Sequence, residues 1–338
     1  MTSKSTANIK IGLYNVENLF LLFDHPIPEN YLSLSELEWQ KLSTSIFDNK
    51  PLKKSIEIAK IIQDRDPDIM MFCEVGGLES LKNFNSLFLD SKYYCALLEG
   101  NSNRTIDVGF LVKKTAPYFF EIATNKTRPL NFLYPHEITS QEHGFKINAP
   151  SQLFSRDCAE LRLFSKSKDK PFLIFLLTHL KSRLDPEKID PGGTERRAAE
   201  LKMAITIYKE LENEFPETPI LLCGDLNGYA GKLNPELEFL PIYQETDLQD
   251  IFEVAQVSVE KRSTFYQIKN GGKIDGRQID YCFIPKILTP YLNKSDATVH
   301  YYTNSQGVPL DSPTTMEMKS QLPSDHYPLF FTLEKLPV

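Results

Sequence analysis

The sequence is poor in cysteine and tryptophan, and it contains no long apolar run. Five cysteines and one tryptophan occur among 338 residues. The cysteines are odd in number and form no Cys-x-x-Cys pair, which argues against a disulfide framework or a zinc site and favours a reducing compartment. No stretch reaches the roughly 20 apolar residues needed to cross a bilayer. We therefore expect no stable membrane association.

Positive charge is also in short supply. Lys and Arg number 38 against 45 Asp and Glu, which gives a net charge of −7. Because strong non-specific nucleic-acid binders are usually basic, the whole surface is not expected to bind a phosphate backbone tightly. A local basic groove, or a bound metal ion that supplies positive charge at a phosphate, is still compatible with this balance.

The beginning of the chain also lacks the pattern of an export signal. Residues 1–8 are short and polar, and they do not have the pattern of a secretory signal peptide. We predict a cytoplasmic protein and expect it to be a monomer, although export by a route without an N-terminal signature is compatible with the sequence.

Apolar runs separated by polar turns predict one domain that is rich in strands. We expect a disordered or extended tail at residues 1–8 and a single domain over residues 9–338, because no linker or low-complexity tract interrupts it. Strands dominate and helices are interspersed, which favours packed sheets with helices outside. Buried strands are expected at residues 9–14, 68–73, 172–177 and 219–223.

Two further regions carry specific expectations. Residues 127–150 contain several prolines and no hydrophobic period, so they are predicted to be irregular. A long segment of this kind is typically functional or mobile. Residues 264–268 and 278–284 flank a glycine-rich turn, which predicts a hairpin between them.

Polar side chains that can bind metals or transfer protons recur where apolar strands end. A strand must become polar where it leaves the core, so any one of them has a structural explanation. Eight such residues on six strands are hard to explain in that way. Carboxylates, amides and imidazoles together can hold a divalent cation and activate water. The eight residues are Asn15, Glu74, His179, Asp225, Asn227, Asp280, Asp325 and His326.

The motifs around these residues resemble, in order, those of the endonuclease/exonuclease/phosphatase (DNase I-like) superfamily. Tyr-Asn-Val-Glu-Asn-Leu-Phe at residues 14–20 is similar to the opening motif of bacterial members. The resemblance covers nearly the whole chain and implies an α+β fold, a four-layer α/β/β/α sandwich of two packed mixed β-sheets flanked by helices. The remaining motifs lie at residues 68–75, 178–182, 224–227, 278–281 and 324–326.

The resemblance implies a metal site. Glu74 would be the principal ligand of Mg²⁺, a hard cation that prefers carboxylate oxygen, and Mn²⁺ could replace it. Asn15 and Asp325 would complete the metal environment. The role of Glu17 is open, with an indirect contact to the metal through water as one alternative.

The resemblance also implies catalytic groups. Asp225 and Asn227 would position the attacking water and the phosphate oxygens, so that Asn227 also serves in phosphate binding. His326 would be the catalytic histidine, oriented by Asp280. His179 resembles the second histidine of the DNase I branch.

Two assignments around these groups are less direct. Asp107 is the candidate carboxylate partner of His179. Arg156 resembles an arginine that contacts phosphate, and a surface salt bridge is the alternative. A candidate basic rim, for which a solvated charged face is the commoner explanation, consists of Lys181, Arg183, Arg196 and Arg197.

The activity implied by the resemblance is Mg²⁺-dependent hydrolysis of phosphodiester bonds by in-line attack of water, with DNA or RNA as substrate and an endo- or exonuclease as the leading interpretation. Tyr281 after Asp280 favours the nucleases, because inositol-polyphosphate phosphatases usually carry Cys-Asp-Arg there. The alternative is a phosphatase or phosphodiesterase acting on inositol phosphates or phospholipids. A second alternative is a non-catalytic binding protein, since fold does not determine function. Residues 127–150 and 228–250 are expected to shape the substrate groove.

Overall fold

Two six-stranded sheets account for most of the strands in the computed structural model, which describes residues 6–165, 169–186, 188–304 and 306–338. The first sheet has the order β13-β14-β1-β2-β4-β3, the second has the order β5-β6-β7-β8-β12-β9, and β10 and β11 form a separate hairpin. The strands are β1 Thr6–Leu19, β2 Ile69–Val75, β3 Tyr93–Ala96, β4 Asp107–Lys113, β5 Phe119–Ala123, β6 Cys158–Phe164, β7 Leu173–His179, β8 Ile220–Asp225, β9 Gln249–Asp250, β10 Phe265–Ile268, β11 Ile274–Arg277, β12 Asp280–Ile284, β13 Thr298–Val299 and β14 Leu329–Pro337.

Helices cover the outer faces of the sheets. Not one of the described helices is both long and apolar enough to cross a membrane. The α-helices are α1 Glu36–Gln40, α2 Leu52–Arg65, α3 Gly77–Phe88, α4 Pro135–Glu142, α5 Thr194–Glu214, α6 Leu240–Glu245, α7 Ile251–Val254 and α8 Met316–Ser320.

Strand β7 shows how the layers arise. Successive side chains of a strand point to opposite faces, and this strand is apolar at nearly every position. Phe175 and Leu177 belong to the core cluster that the two sheets share. Ile174 and Leu176 belong to a second cluster, in which α5 contributes side chains such as Leu201. The first sheet is covered in the same way by α2 and α3. The predicted four-layer α/β/β/α sandwich of two mixed sheets is therefore confirmed.

Two expectations about local structure need correction. β10 pairs with β11, a short polar strand, whereas β12 pairs with β8 and β9, so the predicted hairpin between 264–268 and 278–284 is wrong. The irregular structure predicted for residues 127–150 is wrong for part of this region, which contains the helix α4. No residue of α4 is buried, so the helix has no apolar period. The tail predicted to be disordered or extended at residues 1–8 stays a prediction, since residues 1–5 lie outside the described residues and Thr6–Asn8 are extended as the start of β1, with Thr6 opposite Pro337.

Strand register brings the predicted site residues together. β7 and β8 are parallel, with His179 opposite Asp225. β12 runs antiparallel to β8 and places Asp280 opposite Asp225 as well. In the other sheet, the parallel pair of β1 and β2 sets Asn15 opposite Cys73, one residue before Glu74. Both sheets therefore present their polar strand ends at the same end of the sandwich.

Asp250 is a buried acid that makes the stability of this fold depend on pH. Its carboxylate accepts hydrogen bonds from the Phe252 amide at 3.2 Å and from Gln278 Nε2 at 3.0 Å. Burial nevertheless raises the pKa of Asp250 to about 7. The folded state therefore keeps a proton that the unfolded chain loses above about pH 4. As a result, the stability contributed by this proton is lost as the pH rises from about 4 to 7.

We expect Asp250→Asn, which cannot titrate, to gain stability relative to the wild type as the pH is raised. One unit of pKa shift corresponds to about 1.4 kcal/mol, so the difference in the free energy of unfolding should change by at least about that amount between pH 4 and pH 8. Urea denaturation of both proteins at the two pH values measures it. A difference that is the same at both pH values would contradict the assignment.

Candidate active site

Asp225 is the centre of the site. It is 1% exposed, at the end of β8. Asn15 Nδ2 donates to Asp225 Oδ2 at 2.9 Å, and the Asn227 amide donates to Asp225 Oδ1 at 2.8 Å. Burial, followed by the charge of Asp280, raises the pKa of Asp225 to about 7. The structure therefore holds a carboxyl group in fixed orientation between the two sheets.

His326 and Asp280 form a buried pair beside Asp225, as predicted. His326 Nδ1 lies 2.8 Å from Asp280 Oδ2, and His326 Nε2 lies 3.9 Å from Asp225 Oδ2. The Phe265 ring packs on the imidazole with 5.1 Å between ring centroids. Burial disfavours the charged imidazole, but Asp280 and Asp225 outweigh it and raise the pKa of His326 well above its usual value. The pair fixes the ring and favours its charged form.

His179 approaches Asp225 from β7, with Nε2 at 3.5 Å from Asp225 Oδ2. Burial, followed by the charge of Arg156, lowers the pKa of His179 well below its usual value. Its Nδ1 has no hydrogen-bond partner among the described residues. The predicted pairing of His179 with Asp107 is therefore not formed. Asp107 Oδ1 instead accepts from the Gly100 amide at 2.8 Å, because the strand that begins at Asp107 directs this carboxylate to the loop before it.

Glu74 and Asp325 are acids at this end that reach solvent, with side chains 14% and 27% exposed. Glu74 Oε2 accepts from the Asn18 amide at 3.1 Å. Its Oε1 lies 4.0 Å from His179 Nε2, beyond hydrogen-bond distance. Asp325 Oδ2 lies 3.3 Å from Lys319 Nζ. These oxygens are suitable for a hard divalent cation.

A second group of ligand atoms lies deeper. Asp225, Asp280 and His326 each offer an atom within 4.8 Å of the others, so they could hold a metal ion. However, Asp280 Oδ2 already bonds to His326 Nδ1 at 2.8 Å. Mg²⁺ usually keeps several waters and binds through one or two carboxylates, which suits the more open acids Glu74 and Asp325 better than this buried group.

Three further motif residues make hydrogen bonds or ion pairs within the protein. Asn15 uses both polar atoms, because its Oδ1 also accepts from the Glu17 amide at 3.0 Å, which makes it a support for Asp225. Asn227 Nδ2 donates to the Leu180 carbonyl at 3.1 Å. Glu17 Oε2 pairs with Lys50 at 3.4 Å and with Lys54.

Several residues of the motifs have strained backbone. Positive φ is uncommon outside glycine, and such residues cost about 1–3 kcal/mol each. Glu17, Asn18, Glu74 and Asn227 have φ of 48°, 56°, 67° and 53°. Gly224 has φ 145°, and a Cβ there would lie 1.7 Å from the Thr178 carbonyl oxygen. The surrounding hydrogen bonds hold these residues in conformations that orient the acids.

The basic residues divide into two groups. Arg156 is 6% exposed, so it is not part of a surface salt bridge, and its Nη1 donates to Ser155 Oγ at 3.3 Å. Arg197 is buried and pairs with Glu238 at 2.6 Å, and Arg183 pairs with Glu236. Lys181 and Arg196 line a groove beside the site. The predicted rim is therefore only half formed.

The sequence pattern missed residues that support the site from elsewhere in the chain. Thr264 Oγ1 accepts from the amides of Ile279 and Asp280, both at 3.1 Å. Lys319, from the five-residue helix α8, lies 3.5 Å from the centroid of the Phe265 ring and contacts Asp325. Thr264 begins the strand expected at residues 264–268 and Lys319 lies in no predicted strand, but neither belongs to a motif, so no local signal connects either of them to the site.

Comparison with known proteins shows similarity in structure alone. No protein-family model and no curated protein matches the sequence. An endonuclease/exonuclease/phosphatase family protein from Bacteroides thetaiotaomicron is 14% identical, with a TM-score of 0.56 over 98% of this chain and 99% of that one. The catalytic domain of human Nocturnin with a bound sulfate anion is 14% identical, with a TM-score of 0.58 over 97% and 95%.

TDP2 from D. rerio, in complex with a single-stranded DNA product, is 13% identical, with a TM-score of 0.54 over 96% of this chain and 98% of that one. These similarities extend over nearly the full length of each chain, and their sheets and helices correspond to the layers described above. The resemblance of the motifs to bacterial members stays a prediction. The chain therefore has the DNase I-like fold of the endonuclease/exonuclease/phosphatase superfamily.

Proposed function

We propose that this protein is a divalent-metal-dependent hydrolase of phosphodiester bonds, and that its substrate is nucleic acid. One observation carries the proposal: two imidazoles approach a single buried carboxylate, at 3.5 Å for His179 and 3.9 Å for His326, next to the more open acid Glu74. A strand end explains one polar residue, but it does not explain convergence from both sheets.

Glu74 and Asp325 would hold the metal ion, with Mg²⁺ as the preferred cation and Mn²⁺ as a substitute. Both are carboxylates that reach solvent, and Glu74 Oε1 is beyond hydrogen-bond distance of His179. When bound, such a cation acts as a Lewis acid that neutralises charge on a phosphate oxygen. Lys319, at 3.3 Å from Asp325, orients that carboxylate. Burial disfavours its charged form, but the charges of His326 and then Lys319 outweigh burial and lower the pKa of Asp325.

The residues of the chain would supply positioning and hydrogen bonds. Asp225, fixed by Asn15 and Asn227, would orient the attacking water and accept its proton. His326, held by Asp280, would donate a hydrogen bond to a phosphate oxygen as charge develops. Hydrogen bonds placed in advance at this charge are usually the largest contribution to such catalysis. Asn227 would bind the same phosphate, and Arg156 would bind a neighbouring phosphate of the substrate.

Nucleic acid is favoured as the substrate by two findings. A similar fold, that of D. rerio TDP2, holds a single-stranded DNA product. In this chain, a groove with several basic side chains adjoins the site in spite of the net charge of −7.

The five cysteines are all free, which supports a cytoplasmic location. The monomeric state stays a prediction.

A panel of substrates tests this proposal. We expect Mg²⁺-dependent cleavage of single-stranded DNA or RNA and of bis-p-nitrophenyl phosphate, abolished by EDTA and restored by excess Mg²⁺. Product formation is followed by gel electrophoresis and by absorbance. Activity on inositol phosphates or phospholipids alone would contradict the nuclease assignment, and the absence of hydrolysis of every substrate would favour a binding protein.

A further inference from the structure

A groove of about 680 Å³ lies beside the catalytic residues. Its walls are formed by residues from four parts of the chain, 101–104, 134–137, 151–156 and the segment after β7 (Lys181, Ser182, 184–186, Ile189 and Asp190), together with Arg196 of α5. The second of these is the start of α4, in the region that was expected to shape a substrate groove. The groove is large enough to accept a nucleotide-sized group.

Three cationic side chains of the groove are held by neutral oxygens. Lys181 Nζ donates to the carbonyls of Leu184 at 2.6 Å and Ser182 at 3.2 Å. Arg104 Nη2 donates to Asn18 Oδ1 at 2.7 Å. Arg156 is more than nine-tenths buried, and among the described residues its Nε has no hydrogen-bond partner. Their positive charge is therefore available to a ligand.

The acids of the groove are used differently. Asp190 accepts from the backbone amides of Glu195 and Arg196, both at 3.1 Å. Glu137 accepts from the Tyr134 amide at 2.7 Å and from Ser151 Oγ at 2.6 Å. These carboxylates hold the loops together. Burial and then the charges of Arg156 and Arg196 lower the pKa of Lys181, while Glu200 and Asp190 act in the opposite direction. The cations therefore lie close enough to repel one another, and an anion between them would reduce this repulsion.

The part of the groove formed by residues 134–137 carries an aromatic surface. The rings of Tyr134 and His136 stack with 5.9 Å between centroids and 13° between planes. Tyr134 is buried, whereas His136 is exposed. A flat exposed ring next to positive charge is the combination that single-stranded nucleic-acid sites use to stack a base and bind its phosphate.

The groove is connected to the metal side of the catalytic centre. Arg104 bonds to the Asn18 side chain, and the Asn18 amide donates to Glu74 Oε2 at 3.1 Å. A group bound between Arg104 and Lys181 would therefore be attached to the substrate close to the bond that is cleaved.

We propose that this groove binds the nucleotide next to the scissile bond, with its phosphate on Arg156, Lys181 and Arg104 and its base against His136. The proposal rests on the proposed function and narrows it, because the preferred substrate then carries a second phosphate beside the one that is hydrolysed. That phosphate is either an internal phosphodiester of an oligonucleotide or a terminal phosphate of a short nucleotide.

Equilibrium binding without metal tests the proposal, because no hydrolysis occurs in EDTA. The probes are two fluorescein-labelled dinucleotides that differ only in a 5′-phosphate, and fluorescence anisotropy gives their dissociation constants. We expect the wild type to bind the phosphorylated probe at least about tenfold more tightly, as charge-assisted hydrogen bonds imply. Arg104→Gln should lose most of that preference. Equal affinity of the wild type for both probes would overturn the proposal.

Arg128→Gln is the matched control. Arg128 is also an exposed arginine, it pairs with Glu210 at 2.7 Å, and it does not line the groove. The variant loses the same charge as Arg104→Gln, but at a position outside the groove. It should therefore keep the preference for the phosphorylated probe. Equal losses in the two variants would show diffuse electrostatics and contradict a built site. His136→Ala should weaken the binding of both probes by about fivefold or more, because the stacking contact is lost. Unchanged affinity would contradict the proposed contact between His136 and the base.

Competition distinguishes the two sources of phosphate. Displacement of the probe by adenosine 3′,5′-bisphosphate identifies a terminal phosphate, and displacement only by an unphosphorylated tetranucleotide identifies an internal one. Displacement by neither overturns the site. Binding is measured without metal, so the two proposals can fail separately. A protein that binds the phosphorylated probe but hydrolyses no substrate contradicts the proposed function alone. A protein that hydrolyses its substrate without preferring the phosphorylated probe contradicts the proposed groove alone.

Discussion

Replacement of Glu74 by glutamine is expected to lower the turnover of phosphodiester substrates at least about 10²-fold at saturating Mg²⁺. The change removes the charge proposed to hold the cation, and loss of one such electrostatic contribution typically costs about 10²–10³ in rate. The glutamine carbonyl can still accept from the Asn18 amide, which donates to Glu74 Oε2 at 3.1 Å. The melting temperature should therefore change little. Steady-state kinetics and thermal denaturation measure the two effects.

Glu79→Gln is the control for this variant. Glu79 is exposed in the first turn of α3, five residues further along the chain, and its replacement removes the same charge. We expect it to retain the wild-type turnover. If Glu74→Gln also kept near-native turnover, Glu74 would not be a metal ligand of this site.

Gly224→Ala is expected to destabilise the protein by at least about 3 kcal/mol, or to prevent folding. Gly224 lies opposite Thr178, where β7 and β8 pair, and an added Cβ would lie 1.7 Å from the Thr178 carbonyl oxygen. Overpacking costs about 1–3 kcal/mol or more, and a non-glycine residue at φ 145° adds strain of similar size. The two strands would have to separate just before Asp225. Urea denaturation gives the free energy of unfolding, and soluble yield reports a failure to fold.

Gly144→Ala is the matched control for backbone strain. Gly144 has φ 84°, and no atom lies within 4 Å of an added Cβ. This variant should lose only about 1–2 kcal/mol, the cost of left-handed backbone for an L-residue. Similar losses in the two alanine variants would show that the close approach of the strands at Gly224 has no energetic consequence.

The positions of several candidate site residues could be predicted because they follow from strand patterns. Apolar runs ending at Glu74, His179 and Asp225 identify buried strands, and parallel neighbours such as β7 and β8 bring their carboxyl ends to one edge. The pair of Asp280 and His326 was also predicted, and it forms at 2.8 Å. Local hydrophobicity was enough to place Glu74, His179 and Asp225 at strand ends, whereas the pairing of Asp280 with His326 was implied by the resemblance of the motifs to the superfamily.

Features that depend on contacts between distant segments could not be read in this way. The partner of Asp107 is the Gly100 amide and not His179, and this depends on how the loop before β4 returns to the strand. The hairpin predicted between residues 264–268 and 278–284 is wrong for two reasons. β11, which pairs with β10, is polar, and β12 lies inside the second sheet between β8 and β9. Helix α4 has no buried residue, so hydrophobic periodicity could not reveal it. Lys319 reaches Asp325 from a five-residue helix with no motif of its own.

The central claim is that these residues form a metal-dependent phosphodiesterase. Its most direct test is the initial rate of cleavage of a fluorescent single-stranded oligonucleotide by EDTA-stripped protein, titrated with Mg²⁺, for the wild type and Glu74→Gln in parallel. We predict no cleavage without metal, saturable activation of the wild type, and a rate at least about 10²-fold lower for the variant at every Mg²⁺ concentration. Cleavage that is independent of metal, or equal activation of both proteins, would contradict the account.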